Sequence, residues 1–347
     1  MSPIPQIPHT WSPFEPVSGA PRIDVATLAE LLDGGQAFRW QREPDGVWLG
    51  VWSHHIARVR LNPAGDLEWS APKELAASVR TALPRYLFGH DTVTALDALP
   101  WRSDPHLARC VAAFPGLTIL RQPFGETLLG FLCSATKQIV QIKQMVALLA
   151  ARHGAPIINS EPAGASAKKT ASRTRQTTAV PPQITCHLIS DKLPLPPGPE
   201  SNPSQINRLP QWAELAAVSE EELRECQLGF RARYIHQTAQ FLAAHSGWLE
   251  ETEQLPYPEA KVRLCMLPGV GEKVADCALL FGAGRLEAFP VDTWIIKAMV
   301  RRYGLTGWPP AQVAHFGRVH FGIHAGLAQQ YLFAYERAQS KTPPTQE

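Results

Sequence analysis

The segment Leu267-Pro268-Gly269-Val270-Gly271 constrains this chain more than any other five residues in it. Tyr257 to Met266 before it and Glu272 to Phe281 after it both suit a helix. Neither helix can run through the segment, because proline lacks an amide donor and its ring clashes with the preceding turn. The two glycines permit positive φ, which lets the chain reverse sharply. The sequence therefore specifies a helix, a tight hairpin and a second helix. Such a hairpin aims successive backbone N–H groups outward at a helix start, where a phosphate fits. Gly269, Val270 and Gly271 would then hold a nucleic-acid backbone, positioning it without reading its sequence. A Gly/Pro turn between two core helices accounts for the same residues.

Lys273 stands in the first turn of the second helix, where the helix dipole disfavours a cation. A solvated lysine is the ordinary reading of such a position. A nucleophilic lysine must first shed its proton, and a field opposing the ammonium helps it to do so. Burial and bound substrate would have to supply the rest. Next comes Phe289-Pro290-Val291-Asp292-Thr293-Trp294, leading into a helical stretch that ends at Gly304. Asp292 falls at the N-cap of that stretch, and capping alone explains it. A capping carboxylate whose other oxygen faces a cleft also stabilises positive charge developing on a sugar. Lys273 and Asp292, on consecutive helix starts, point to catalysis more sharply together than apart.

The rest of the chain divides by pattern. Met1 to Pro21 is rich in Pro and Ser, has no basic stretch leading into an apolar one, and reads as a disordered tail without a signal peptide. Residues 22–115 read as an antiparallel sheet domain with flanking helices. Alternation at Ala37–Trp40, Val47–Val51 and Ile56–Leu61 is punctuated by Pro44-Asp45-Gly46 and Asn62-Pro63-Ala64-Gly65, the pattern of a meander. Apolar residues at helical spacing fill 125–152, with a break at Ser134 to Gln138. Residues 116–154 and 206–337 form the helical domain. Between them, 155–205 is dense in Pro, Ser, Thr and Ala and reads as a disordered insertion, with a basic clump at Lys168, Lys169, Arg173 and Arg175. Residues 338–347 are a second tail. Strands first and helices later make the fold class α+β.

Composition excludes several function classes. No apolar run is long enough to span a bilayer. The six cysteines contain no CxxC pair, which removes zinc ribbons and iron–sulfur runs and fits reduced thiols in the cytoplasm. The net charge of +2 argues against a nonspecific nucleic-acid coat, so any DNA contact is local.

Leu267-Pro-Gly-Val-Gly-Glu-Lys-Val-Ala-Asp-Cys277 followed by Pro290-Val-Asp292 resembles the catalytic core of the helix-hairpin-helix DNA glycosylases, and within them the 8-oxoguanine DNA glycosylases. Gly35-Gln-Ala-Phe-Arg-Trp40 and Leu228-Gly-Phe-Arg-Ala-Arg-Tyr234 agree, and Phe131-Leu-Cys-Ser134 agrees in part. The resemblance spans about residues 25 to 337 outside the insertion. It implies a bifunctional glycosylase/AP lyase acting on duplex DNA that contains oxidised guanine, monomeric and cytoplasmic (nucleoid-associated in a bacterium). No cofactor is implied, although a structural cation at the hairpin is compatible with such a fold.

The resemblance also assigns roles. A flipped nucleotide enters a pocket; Lys273 attacks the sugar C1′, and Asp292 stabilises the oxocarbenium-like charge. The Gly35 carbonyl meets the lesion's N7–H, where guanine carries an acceptor instead. Gln329 reads the Watson–Crick edge, and Phe333 and Cys277 sandwich the base. Phe230 takes the wedge position, with Arg231 beside it facing the orphaned cytosine and Thr136 in the same DNA-contacting set. Three departures stand out: Thr136-Lys137-Gln138 replaces three asparagines, Gln141 replaces a cytosine-reading arginine, and Trp294 replaces a histidine. They imply a relaxed choice of the base opposite the lesion. Two rival readings are an alkylpurine glycosylase without lyase activity, against which Lys273 and Gly35–Trp40 argue, and a non-catalytic hairpin module, which needs neither Asp292 nor a base pocket.

Overall fold

The computed structural model describes residues 10–89, 92–158 and 206–340. An antiparallel sheet contains β1 (Glu15–Pro16), β2 (Trp40–Arg42), β3 (Trp48–Trp52), β4 (His55–Leu61) and β5 (Leu67–Ser70). Its order is β1-β5-β4-β3-β2, so the last four strands form the expected meander. Trp40 lies opposite Gly50, and a Cβ on Gly50 would stand 2.4 Å from the Trp40 ring. Only glycine leaves room there for the buried indole, whose Nε1 donates to Tyr86 Oη at 3.2 Å.

The expected 1–21 tail needs correction from residue 10 onward. β1 pairs with β5, and Ser12 N donates to Ala71 O at 2.7 Å. Arg58 lies 4.1 Å over the Trp11 ring and Arg60 3.8 Å over Phe14. Pro-rich composition reads as a tail, yet proline is tolerated on an edge strand, where its missing N–H faces away from the sheet.

Helices α1 (Val25–Asp33) and α2 (Ala76–Phe88) pack on the sheet, and α3 (Thr92–Ala98) and α4 (Pro105–Ala113) follow them in the chain. The helical part opens with α5 (Phe124–Leu132) and α6 (Ile139–His153), separated where the sequence predicts a break. Next come α7 (Trp212–Leu215), α8 (Glu220–Leu223), α9 (Arg231–Ala244), α10 (Trp248–Gln254) and α11 (Tyr257–Leu264). The last four are α12 (Glu272–Ala278), α13 (Thr293–Tyr303), α14 (Pro310–Phe321) and α15 (Ala325–Gln339). The helix expected over Glu272–Phe281 is α12 followed by a wider turn at Leu279–Ala283. Gly282 in that turn lets it close on α5, since a Cβ there would meet Phe124 at 2.9 Å.

Both ends of the 155–205 segment are pinned to one another. Ile157 N donates to Ile206 O at 3.0 Å, and Arg208 N to Ala155 O at 2.8 Å. The insertion from 159 to 205, with its basic clump, lies outside the described residues, as do 1–9 and 341–347. Helix α15 runs to Gln339, two residues past the expected domain end.

Candidate active site

The hairpin forms as its sequence dictates. Val270 N donates to Leu267 O at 3.1 Å, Gly269 adopts φ 78°, and Gly271 caps α12 in extended conformation. Gly269 sits so close to Tyr234 of α9 that a Cβ would stand 2.7 Å from it. Thr238 Oγ1 donates to Pro268 O at 3.2 Å, a second tie to α9. The hairpin and the start of α9 are thus one seated unit.

That unit presents Lys273. Its Nζ donates to Ser134 Oγ at 3.2 Å and lies 5.2 Å over the Phe131 ring. Both partners come from α5 and the turn after it, and Phe38 packs edge-on to Phe131 at 5.2 Å. The segment Gly35–Trp40 therefore reaches the lysine through one ring.

Asp292 is the N-cap of α13. Its Oδ1 accepts from Trp294 N and Ile295 N, both at 2.9 Å, which leaves Oδ2 outside the cap. Burial pushes the Asp292 carboxyl up from the ordinary aspartate range; the amides and the nearby Lys273 ammonium pull it back without cancelling the rise. Buried Phe289, stacked on Phe321 at 5.8 Å, packs beneath Gly317 of α14 and fixes the approach to Asp292. Cys277 lies one turn after Lys273 and feels both it and Asp292; burial pushes its thiol up to about 12, so it is a neutral, apolar surface at physiological pH.

The remaining predicted base-binding residues join the same cluster from α15 and from the turn after α1. Gln329 Nε2 donates to Pro290 O at 3.1 Å, two residues before Asp292, and its Oε1 is buried without a hydrogen-bond partner among the described residues. Phe333 is one turn further on. Gly35, at φ 103°, faces it: a Cβ there would stand 3.9 Å from Phe333 Cζ and 3.1 Å from Ile139 Cδ1.

The residues expected to touch DNA behave unequally. Phe230 is 53% exposed and packs edge-on to Tyr234, beside the hairpin. Arg231 instead is buried, donating to Leu228 O, Ala135 O and Thr136 Oγ1. Thr136 is held by that contact at φ 55°, a strained value for a β-branched residue. Gln141, at the position of the second cytosine reader, spends its side chain on a capping box, accepting from Gln138 N at 3.2 Å. Sequence reasoning gave no role to Ser134, and no local pattern announces one, because its partner lies on another helix. Among the described residues no three His, Cys, Asp or Glu side chains stand together as a metal site, and the five described cysteines are free. No helix among them is long and apolar enough to cross a membrane.

Two family models match this architecture. Residues 22–128 match the 8-oxoguanine DNA glycosylase N-terminal domain, and residues 199–317 match the HhH-GPD superfamily base excision DNA repair proteins. The chain belongs to the 8-oxoguanine DNA glycosylase family of that superfamily. It is 28% identical over 334 residues to an N-glycosylase/DNA lyase of Arabidopsis thaliana, covering 91% of this chain and 79% of that protein. A probable N-glycosylase/DNA lyase of Methanothermobacter thermautotrophicus is 38% identical over 116 residues, 33% of this chain and 37% of the other. The Clostridium acetobutylicum 8-oxoguanine glycosylase/lyase, solved with duplex DNA carrying cytosine opposite 8-oxoguanine, superposes with TM-score 0.72 at 27% identity, covering 90% of this chain and 92% of that one.

Proposed function

We propose that this protein excises oxidised guanine, 8-oxoguanine foremost, from duplex DNA and then cleaves the strand at the emptied sugar. What supports the reading is a chain of neighbours from four separate stretches of sequence: Lys273 and Cys277 lie near Asp292, Gln329 bonds to Pro290 two residues before Asp292, and Phe333, one turn after Gln329, stands against Gly35. Family relatives named glycosylase/lyases support it.

The Lys273 amine, freed of its proton, attacks C1′ while the C1′–N9 bond breaks, and the base leaves carrying the electron pair. Ionised Asp292 stabilises the positive charge that develops on the sugar. The ring opens to a Schiff base at Lys273; loss of a C2′ proton expels the 3′-phosphate and nicks the strand. These steps need no cofactor. The base, flipped out of the stack, lies between Phe333 and the neutral Cys277 thiol, with the Gly35 carbonyl at its N7–H. Gly269, Val270 and Gly271 hold the backbone, and Phe230 fills the vacated stack. A cation at the hairpin would use the carbonyls of that turn, and the protein acts as a monomer.

A panel of duplexes carrying single lesions tests this reading. Release of 8-oxoguanine with strand cleavage, and little release of 3-methyladenine, is the expected result. Release of the alkylated base alone, with no nick, would overturn it.

A further inference from the structure

We propose that Arg337 is a positioning residue that sets the gap between the Gly35 backbone and the Phe333 ring, and so governs acceptance of the flipped base. The proposal rests on reading those two residues as walls of the base pocket. Arg337 stands one turn after Phe333 on α15, its guanidinium carbon 5.7 Å from the centre of that ring. Its Nη1 donates to Gly34 O at 3.1 Å. Its Nη2 donates to Glu30 Oε2 at 2.7 Å, in an ion pair whose side chains are 15% and 9% exposed. One rigid planar fork therefore joins α15 to the end of α1 and to the turn that carries Gly35.

The far side of that turn is held as firmly. Gln122 Nε2 donates to Gln36 O at 2.7 Å, while the Gln36 side chain donates to Thr118 O at 3.0 Å and accepts from Leu120 N at 2.9 Å. The carbonyls on both sides of Gly35 are thus tied back, and among the described residues no donor reaches the Gly35 carbonyl itself. Its direction is a property of the held turn, at a φ that only glycine adopts freely. The width of the slot follows from where α15 stands relative to α1, which Arg337 fixes. A misplacement of about one ångström in a reacting pair costs on the order of 100-fold in rate.

Removing Arg337 alone would leave the Glu30 carboxylate without its buried cation, which destabilises. The test therefore removes both charges in Glu30→Gln/Arg337→Met, alongside Arg337→Lys, which keeps the charge but loses the fork. Two readouts are compared with wild type: single-turnover excision of 8-oxoguanine, and borohydride trapping on a duplex with a preformed abasic site, which needs Lys273 but no base in the slot. Excision is expected to fall roughly 10- to 100-fold in the double variant, with Arg337→Lys intermediate and abasic trapping within about twofold of wild type. Equal loss of both activities, or loss of neither, would overturn the proposal. A wild type that traps abasic DNA but releases no 8-oxoguanine overturns the substrate reading and the proposal with it, a failure visible without any variant.

Discussion

Lys273 Nζ donates to Ser134 Oγ at 3.2 Å, and the same hydroxyl donates onward to Phe131 O at 2.7 Å. The hydroxyl proton is committed to the backbone, so a lone pair is what faces the amine. Ser134 thereby aims the lysine across the junction of α5 and α12. Ser134→Ala should slow excision and abasic-site cleavage together. A hydrogen bond to a charged group contributes about 1.5–3 kcal/mol, so the slowing should be tenfold or more by single-turnover kinetics, with little change in Tm.

Asp292 should show opposite effects on activity and stability. A carboxyl whose pKa is raised by burial binds its proton more tightly in the fold than in the unfolded chain. Ionisation therefore weakens the fold as pH rises from the ordinary aspartate range, about 3.9, through the raised value. Below that range both states hold the proton and this contribution to stability is fully present. Asp292→Asn keeps the cap, since asparagine is an equally good N-cap. It should abolish excision while leaving Tm at neutral pH no lower than wild type. Catalysis needs the ionised form, so the acid limb of the wild-type rate profile should lie above the ordinary aspartate range.

The two hairpin glycines should respond differently to the same methyl group. Gly269→Ala meets Tyr234 at 2.7 Å and sits at φ 78°, so the hairpin must shift. The left-handed backbone alone costs about 1–2 kcal/mol. Thermal unfolding should show the loss, and DNA affinity should fall with it. A Cβ on Gly271 meets nothing within 4 Å, so Gly271→Ala should keep its Tm. Any affinity it loses would then report the approach of the DNA backbone itself.

Choice of the base opposite the lesion should be relaxed. Gln141 is spent on its capping box and Arg231 on three oxygens of its own chain. Excision rates on duplexes differing only in that base should fall within about one order of magnitude, whereas the upper end of the 1–3 kcal/mol that a good bidentate base contact supplies would separate them by more than about a hundredfold. A hundredfold preference for cytosine would contradict this.

The hairpin, the Asp292 cap, the break before α6 and the meander were legible because each is written in contiguous residues. Proline and glycine stop a helix wherever it is packed, and an aspartate before a helical run caps it by local geometry. What was not legible depends on distant pairing. Thr10 to Val17 reads as a tail until β5 offers it an edge, and no local pattern shows that the Arg231 guanidinium bonds to the distant Ala135–Thr136 turn. Ser134 and Arg337 likewise acquire meaning only from partners 139 and 303 or more residues away. Gly35, Gln329 and Phe333 carry no local signal at all; the family resemblance marked them before the structure placed them together.

Every proposed step depends on the Lys273 amine forming a bond to the sugar C1′. Incubating the protein with a duplex bearing one 8-oxoguanine, then adding borohydride, tests it most directly. Wild type should give a covalent protein–DNA adduct, and Lys273→Gln none. An adduct from Lys273→Gln equal to that of wild type, or base release by wild type with no adduct, would contradict it.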